Sequence, residues 1–426
     1  MIHCNFKSTS KFPFWQGEFW QEPFLRRFWF PCLLVLASLL LNGLTACSLP
    51  QVSAEDRLYL DLSLEYVEAY SLPQQTVNGK AVDGFSALAY DRQQNQFYAL
   101  ASTLAAADRD SLSERLSQNP PINVPVEIYR LSLTLEPSQA KSVDIQSMAV
   151  ETATLLRNEG GEPYTQVMLN PAGIALSPQP SIWIASEGSS SEGRAGESIL
   201  PFIEEFDLET GQQRQGLPLP KRYLPLPDES GAQPSQGIEP HQGLKALTLS
   251  PGSSLPAAAE PFRLFAATAA PLVQNRDRTE SRLLHYLLSD GPPLLIAEYL
   301  YPLDTDDTGA IASQLVALTA LDQGGHFLSL ERTNKTSAPA RTRIFQLATG
   351  GATDISAFSD QIDLPAAMPA RKQLLLDLNQ ANVPAGRVTG MALGPRLADG
   401  SQSLLLVSRD RDRNSHGSQL LIFRLT

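Results

Sequence analysis

The stretch "NPAGIALSPQPSIWIASEG", residues 170–188, contains two short apolar runs separated by a turn segment. Gly173 and Ala175 lie in the first run, "SPQP" interrupts the chain, and the second run passes through Trp183 and ends at the acidic residue Glu187. Apolar residues at alternate positions, with a break rich in proline and serine, predict two antiparallel strands joined by a turn. The stretch therefore predicts a β-hairpin that carries an acid where its second strand ends.

Four other stretches follow the same plan of a small residue, an apolar strand, a turn and a second strand that closes on a polar residue. They are "DGFSALAYDRQQNQFYALAS" (83–102), "HQGLKALTLSPGSS" with "FRLFAATAAPL" (241–272), "SQLVALTALDQGGHFLSLER" (313–332) and "VTGMALGPRLADGSQSLLLVSRD" (388–410). Further strand pairs lie between the copies, so each copy fits the inner hairpin of a four-stranded propeller blade. The sequence predicts an all-β fold, a β-propeller of five to seven blades with six preferred. A large β-sandwich or two separate β-domains is the alternative.

The N-terminal region has the layout of an export signal. Arg26 and Arg27 precede the apolar run "FWFPCLLVLASLLLNGLTAC" (28–47), which ends in small residues. Its end, "LTAC", is similar to the lipobox of bacterial lipoproteins, whose cysteine is acylated after cleavage. We therefore expect a lipoprotein signal peptide at 1–46, lipidation of Cys47, a tether at 47–57 and one domain at 58–426. An uncut membrane anchor is the alternative, although the run is short for a span that needs about 20 apolar residues.

Composition narrows the function further. The chain has 426 residues, a formal net charge of −12 and 3 cysteines, two of which precede Cys47. The acidic balance argues against nucleic acid as a partner, because phosphate-backbone binding needs stripes of Lys and Arg. With no cysteine framework, core burial must hold the fold together. No G-x-S-x-G, H-E-x-x-H, P-loop or dinucleotide-binding glycine pattern occurs. We expect an exported cell-envelope lipoprotein, on the periplasmic or the outer surface, that meets the membrane through its N-terminal lipid.

A set of motifs spread over most of residues 80–426 resembles one known family. The motifs are "GFSALAYD", "NPAGIALSP", "IWIASE", "PFIEEFDLETGQ", "HQGLKALTLSPG", "AEYLYPLD", "FLSLER" and "GMALGP". Their order and spacing are similar to those of the phytase-like family described as having esterase-like activity. The resemblance implies a propeller related to calcium-dependent phytases, exported by bacteria and acting on phosphate or carboxylic esters.

The chain departs from the family at its acidic positions. Members usually carry Glu before the glycine of an inner strand, whereas this chain has Ala172, Lys245 and Thr389, and another expected acid falls near Ala269. Propeller phytases need clustered carboxylates, which hold calcium ions that neutralise substrate phosphates and activate water. The acids that remain at the ends of equivalent strands are Glu187, Glu331 and Asp410.

The resemblance implies that these three acids are calcium ligands and that Arg332 binds an anionic substrate. Two assignments have a simpler alternative: Glu331 and Arg332 form an exposed or strand-end ion pair, and Glu187 begins a solvated loop. Asp410 begins a pattern like that of a calcium loop, but the pattern lacks the glycine at its sixth position and has Leu421 where the bidentate Glu belongs. The sequence identifies no catalytic residue.

Two functions follow for the exported, membrane-tethered protein. The first is a calcium-dependent hydrolase whose substrate is a small anionic ester or phosphate. The second is a non-catalytic propeller that binds a ligand or partner after losing the family's acidic site, since function belongs to sites and not to folds. Calcium is the only cofactor that the sequence suggests, and whether the protein is an enzyme stays open.

Overall fold

The computed structural model describes residues 58–73, 75–82, 84–101, 125–138, 142–165, 169, 171–188, 200–227, 234–239, 241–250, 260–306, 308–322, 324–333, 341–358, 366–409 and 418–426. All of them belong to the unit Leu58–Thr426. The expected signal peptide at 1–46, Cys47 and the tether at 47–57 lie outside the described residues. Within the described part of the chain, no helix has the length and apolar character needed to cross a membrane.

Five four-stranded antiparallel sheets make up the structure, and we call them blades 1 to 5. Blade 1 contains β4 (Phe85–Asp91), β5 (Gln96–Ala101), β6 (Glu127–Ser138) and β7 (Ser142–Leu155). Blade 2 contains β8 (Pro171–Leu176), β9 (Ser181–Ser186), β10 (Phe202–Asp207) and β11 (Gln213–Gly216). Blade 3 contains β14 (Leu244–Leu249), β15 (Phe262–Thr268), β16 (Glu280–Leu288) and β17 (Leu294–Pro302).

Blade 4 contains β18 (Ser313–Ala320), β19 (His326–Thr333), β20 (Thr342–Ala348) and β21 (Arg371–Asp377). Blade 5 contains β22 (Arg387–Arg396), β23 (Gln402–Arg409), β24 (Ser418–Leu425) and β1 (Leu64–Ser71). Two short ribbons lie outside the blades, β2 (Gln75–Val77) with β3 (Lys80–Val82) and β12 (Leu226–Pro227) with β13 (Pro234–Gln236). Short 3₁₀ helices span Lys221–Tyr223 and Val273–Asn275.

The inner strands close into a ring, because β4, β8, β14, β18 and β22 each contact the next and β22 contacts β4. The protein is therefore a five-bladed β-propeller, which confirms the predicted all-β propeller and its range of five to seven blades. The preference for six blades is wrong. The first strand, β1, pairs with β24 and completes blade 5 instead of beginning a blade of its own.

Each interface between neighbouring blades has its own hydrophobic cluster. In β9, Trp183 packs with Leu264 between blades 2 and 3, whereas the next residue, Ile184, packs with Leu100 between blades 1 and 2. Every residue of β9 is buried for this reason. The remaining interfaces are represented by Phe265 with Phe327, Leu328 with Leu404, and Leu405 with Phe97. Burial on both faces explains why the second strand of each predicted hairpin is so apolar.

The inner strands approach one another closely where their side chains are smallest. A Cβ atom added at Gly173 would lie 2.7 Å from the carbonyl oxygen of Lys245, and one added at Gly390 would lie 3.0 Å from the Cα atom of Ala87. Only glycine permits such backbone contacts. These two positions therefore bring blade 2 against blade 3 and blade 5 against blade 1.

Candidate functional site

Every inner strand contains a β-bulge at the same position in its hairpin. The bulged residues are Ser86, Ala172, Lys245, Val316 and Thr389. A bulge re-aims a side chain and is common next to functional sites. Because the inner strands form a ring, these positions surround the propeller axis at one end. Lys245 is the only charged residue among them.

The second strands end at the same level. Pro171 pairs with Ser186, Leu315 with Glu331 and Val388 with Ser408, so the residues that follow these partners are Glu187, Arg332 and Arg409. The equivalent residue of blade 3 is Ala269, which follows the Leu244–Thr268 pair. We call the cluster of Glu187, Lys245, Arg332, Arg387 and Arg409 the mouth.

Glu187 and Lys245 form an ion pair across the boundary between blades 2 and 3. The Nζ atom of Lys245 lies 3.0 Å from Oε1 of Glu187, and the two side chains are 16% and 10% exposed. Removal from water lowers the pKa of Lys245, the nearby Arg332 and Arg387 lower it further, and Glu187 opposes this shift. Burial is the largest cause of the lowered pKa, and attraction to the carboxylate of Glu187 does not fully offset it.

Arg332 is the most buried arginine of the mouth. It is 7% exposed, and its guanidinium donates a hydrogen bond to the backbone carbonyl of Val388 in blade 5. Burial and the charges of Arg387 and Arg409 lower the pKa of Arg332 to about 9, whereas Glu187 acts in the opposite direction. Arg332 remains a cation at neutral pH.

Two further arginines lie opposite each other in blade 5. Arg387 of β22 pairs in register with Arg409 of β23, an arrangement of like charges that costs stability in a sheet. A nitrogen of Arg409 donates to the carbonyl oxygen of Gly84 at 3.4 Å, and a Cβ atom at Gly84 would lie 2.9 Å from Nε of Arg409. Gly84 therefore leaves room for the guanidinium. Within the described residues, neither Arg332 nor Arg387 forms a salt bridge with a carboxylate.

The structure brings two of the four sequence-predicted site residues together. Glu187 and Arg332 lie in the mouth and interact electrostatically. Glu331 has a different environment, because consecutive residues of a strand face opposite sides of the sheet. Asp410 and the expected lipidation site Cys47 lie outside the described residues, so their roles stay predictions.

Glu331 lies between blades 3 and 4 and is 1% exposed. The hydroxyl of Tyr301 donates to its Oε1 atom at 2.7 Å, the backbone N–H of Asp304 donates to Oε2 at 3.0 Å, and Ser313 also donates to Oε2. Lys372 forms a salt bridge with Oε1. Burial and the neighbouring carboxylate raise the pKa of Tyr301, which keeps its hydroxyl protonated as a donor. Protein groups therefore surround both oxygens of Glu331, and the expected exposed ion pair with Arg332 does not form.

The donor set of the mouth does not suit calcium. Calcium takes 6–8 oxygen ligands, several of them carboxylates. Among the described residues the mouth holds one carboxylate, which is already paired with Lys245, and no group of three or more His, Cys, Asp or Glu side chains could hold a metal. The bulge positions where the family has acids carry Ala172, Lys245 and Thr389, and Thr389 donates its hydroxyl to the carbonyl of Phe85 at 2.8 Å. Among the described residues, the cations of the mouth outnumber its one carboxylate, which disfavours a bound metal cation.

Sequence reasoning missed Lys245, Arg387 and Arg409 as functional residues. Lys245 was recognisable only as the replacement of an acid, because its pairing with Glu187 depends on which blades are neighbours. Arg409 could have been found by aligning the five hairpins, since it occupies the position of Glu187 and Arg332, whereas Arg387 has no such signal.

The fold and the mouth define a five-bladed propeller with a cationic cluster around one carboxylate. The sequence matches the family model described as phytase-like, with the esterase-like activity of phytase, over residues 80–410. The chain belongs to this phytase-like family, as the motifs indicated. Comparison with curated proteins gave no match.

Solved structures with similar chains include sugar-cleaving enzymes. A GH43 β-1,3-galactosidase is 8% identical, covering 82% of this chain and 93% of that protein with a TM-score of 0.40. An endo-arabinase from Bacteroides thetaiotaomicron is 10% identical, covering 80% and 94% with a TM-score of 0.36. The catalytic domain of a GH62 α-L-arabinofuranosidase from Coprinopsis cinerea is 10% identical, covering 84% and 97% with a TM-score of 0.35. Similarities of this size support no inference about activity.

Proposed function

We propose that this phytase-like propeller binds a small anionic molecule at its mouth, through the phosphate or carboxylate group of an ester. Arg332 carries the proposal: it is 7% exposed, it has no carboxylate partner among the described residues, and two further arginines lower its pKa. A buried charge is costly unless an opposite charge or several hydrogen bonds compensate it. A guanidinium presents a planar fork of donors that matches phosphate and carboxylate oxygens. A bound anion therefore supplies the missing compensation.

Titration calorimetry with inorganic phosphate and phenyl phosphate tests this function. The purified protein should bind both anions in the presence of EDTA, and Arg332→Met should weaken binding at least 10-fold, which corresponds to about 1.4 kcal/mol. The matched control is Arg92→Met, which removes an exposed arginine paired with Asp322 and should leave affinity unchanged. Equal affinities of Arg332→Met and the unmodified protein would contradict the proposal.

Hydrolysis of the bound ester is the second candidate, and membership of the phytase-like family favours it. Glu187 is the only carboxylate of the mouth among the described residues, so it is the one group there that could accept a proton from water. Release of p-nitrophenol from p-nitrophenyl phosphate and p-nitrophenyl acetate, and of phosphate from phytate, separates an enzyme from a binding protein. Each assay is run with calcium and with EDTA. Activity that depended on calcium would require metal ligands outside the described mouth. Asp410→Asn is the first variant to test in that case.

We further propose that the propeller is exported and tethered to the cell envelope through an acylated Cys47, as the "LTAC" segment suggests. Metabolic labelling with an alkyne fatty acid should mark the unmodified protein and not Cys47→Ser. Labelling of the Cys47→Ser variant would reject this site of attachment.

A further inference from the structure

Glu187 interacts with more of the mouth than its partner Lys245. Its charge also acts on Arg332 and Arg387, and in each case it favours the cationic form. It is the only carboxylate among the described residues that does so. The carboxylate of Glu187, 3.0 Å from Nζ of Lys245, therefore lies where a negative charge interacts favourably with all three cations.

The position of Glu187 is fixed by its backbone and not by its side chain. A Cβ atom at Gly243 would lie 2.0 Å from the carbonyl oxygen of Glu187, so the main chain is held tightly against the entry to blade 3. Among the described residues, the side chain beyond it has one salt bridge, to Lys245. Breaking a buried ion pair is costly when it leaves a charge uncompensated, but an anion that takes over Lys245 keeps that cation compensated and leaves the Glu187 carboxylate close to Arg332 and Arg387.

Charge balance identifies the class of anion. Among the described residues, the cations Lys245, Arg332 and Arg387 share one carboxylate, Glu187. A ligand with one negative charge that replaced the carboxylate of Glu187 would leave the net charge at the mouth unchanged. A phosphate monoester group carries two negative charges near neutral pH and has three acceptor oxygens, enough for several Lys and Arg donors at once.

We infer that Glu187 is an internal competitor for the anion site: a dianionic phosphoryl group binds by displacing its carboxylate from Lys245 and takes over that ammonium together with Arg332. This inference rests on the proposed function, because it names the ligand class and the regulation of the same site. It gives Glu187 the opposite effect from a metal ligand or a general base, since removal of its charge strengthens binding.

Calorimetric titration of the full-length protein with inorganic phosphate at pH 8, and separately with acetate, tests the inference. Glu187→Gln should bind phosphate at least 10-fold more tightly than the unmodified protein, with a smaller gain for acetate. Glu187→Asp keeps the charge but shortens the reach to Lys245, so it should also bind phosphate more tightly. The matched control is Glu239→Gln, which removes an exposed acid paired with Arg276 and should change neither affinity.

The outcomes separate the two proposals. If the unmodified protein binds phosphate and both Glu187 variants bind it equally or more weakly, the competitor inference is overturned and the proposed function stands. If only Glu187→Gln gains affinity while Glu187→Asp matches the unmodified protein, the effect is one of distant charge and displacement is rejected. If none of the folded proteins binds phosphate or acetate, the proposed function fails and the inference falls with it.

Discussion

Glu331 and Arg332 are consecutive residues of β19, and their side chains contact different blades. Glu331 accepts a hydrogen bond from Tyr301 of blade 3, whereas Arg332 donates one to the carbonyl of Val388 in blade 5. The same alternation places Glu187 of blade 2 against Lys245 of blade 3. Arg332 and Glu187 thus reach across to the following blade and Glu331 reaches back to the preceding one, so the mouth is assembled at blade boundaries.

Replacement of Glu331 by Leu is expected to destabilise the fold and leave anion binding intact. The change removes a buried carboxylate and leaves Lys372 with Asp304 as its remaining acidic partner, at 3.0 Å. Breaking a buried ion pair costs about 3–5 kcal/mol, and we expect the lower end because Asp304 remains. Urea unfolding measures the loss. Asp322→Asn, which breaks the exposed pair with Arg92, is the control and should cost less than about 1 kcal/mol.

The Glu331→Leu variant also tests whether Glu331 is a calcium ligand. If Glu331 were a calcium ligand, calcium would raise the melting temperature of the unmodified protein more than that of Glu331→Leu. We expect calcium to raise neither, because protein donors already satisfy both carboxylate oxygens. Selective stabilisation of the unmodified protein would restore the metal-ligand assignment.

Replacement of Gly173 by Ala tests the close approach of blades 2 and 3. The new methyl group would lie 2.7 Å from the carbonyl oxygen of Lys245 and 3.0 Å from Cβ of Leu247, and neither atom can move without shifting β14. Overpacking of this kind costs about 1–3 kcal/mol. The shift should also weaken phosphate binding, because β14 carries Lys245. Gly324→Ala is the matched control: a Cβ atom there meets nothing within 4 Å, so its unfolding curve should overlay that of the unmodified protein.

Much of the fold could be predicted from the sequence, and less of the site. The five hairpins were visible because their strands carry apolar residues at alternate positions and are separated by turn residues. The prediction that these hairpins surround a common axis correctly placed Glu187 and Arg332 at the same opening. The number of blades could not be read from spacing, because β1 returns from the N-terminal end to complete blade 5.

The residues that make up the mouth could be identified only from the three-dimensional structure. Loss of the family's acids was evident at Ala172 and Lys245, but a missing carboxylate does not reveal that a cation cluster has replaced it. The pairing of Arg387 with Arg409 depends on strand register, and the bulge at Thr389, two residues after Arg387, shifts that register by one residue. Glu331 could have been separated from Arg332 by strand alternation alone.

Replacement of Lys245 by Glu is expected to give the mouth some affinity for calcium. The new carboxylate would stand at a bulge position beside Glu187, and the local positive charge would fall by two. Binding of calcium to the folded state raises stability by RT ln(1 + [L]/Kd), so 10 mM calcium should raise the melting temperature of Lys245→Glu and not that of Lys245→Met. Phosphate affinity should fall in both variants. A calcium response in the Lys245→Met variant would show that the ions bind elsewhere.

His285 is expected to make the fold sensitive to acid. Its ring stacks on Phe265 with centroids 4.1 Å apart, and burial together with the charge of Arg263 lowers its pKa to about 4, although Asp354 opposes the shift. The unfolded chain therefore binds a proton at this site at a higher pH than the folded protein does. Stability should fall as the pH drops from about 6.5 towards 4, by on the order of 1–2 kcal/mol from this residue. The His285→Phe variant retains an aromatic ring against Phe265. Urea titrations at pH 7 and pH 4.5 measure the free energy of unfolding of both proteins. Between these two pH values it should fall less in the variant than in the unmodified protein. Identical pH dependence in the two proteins, or an imidazole titration near 6.5 followed by NMR, would show that His285 is not held neutral by the fold.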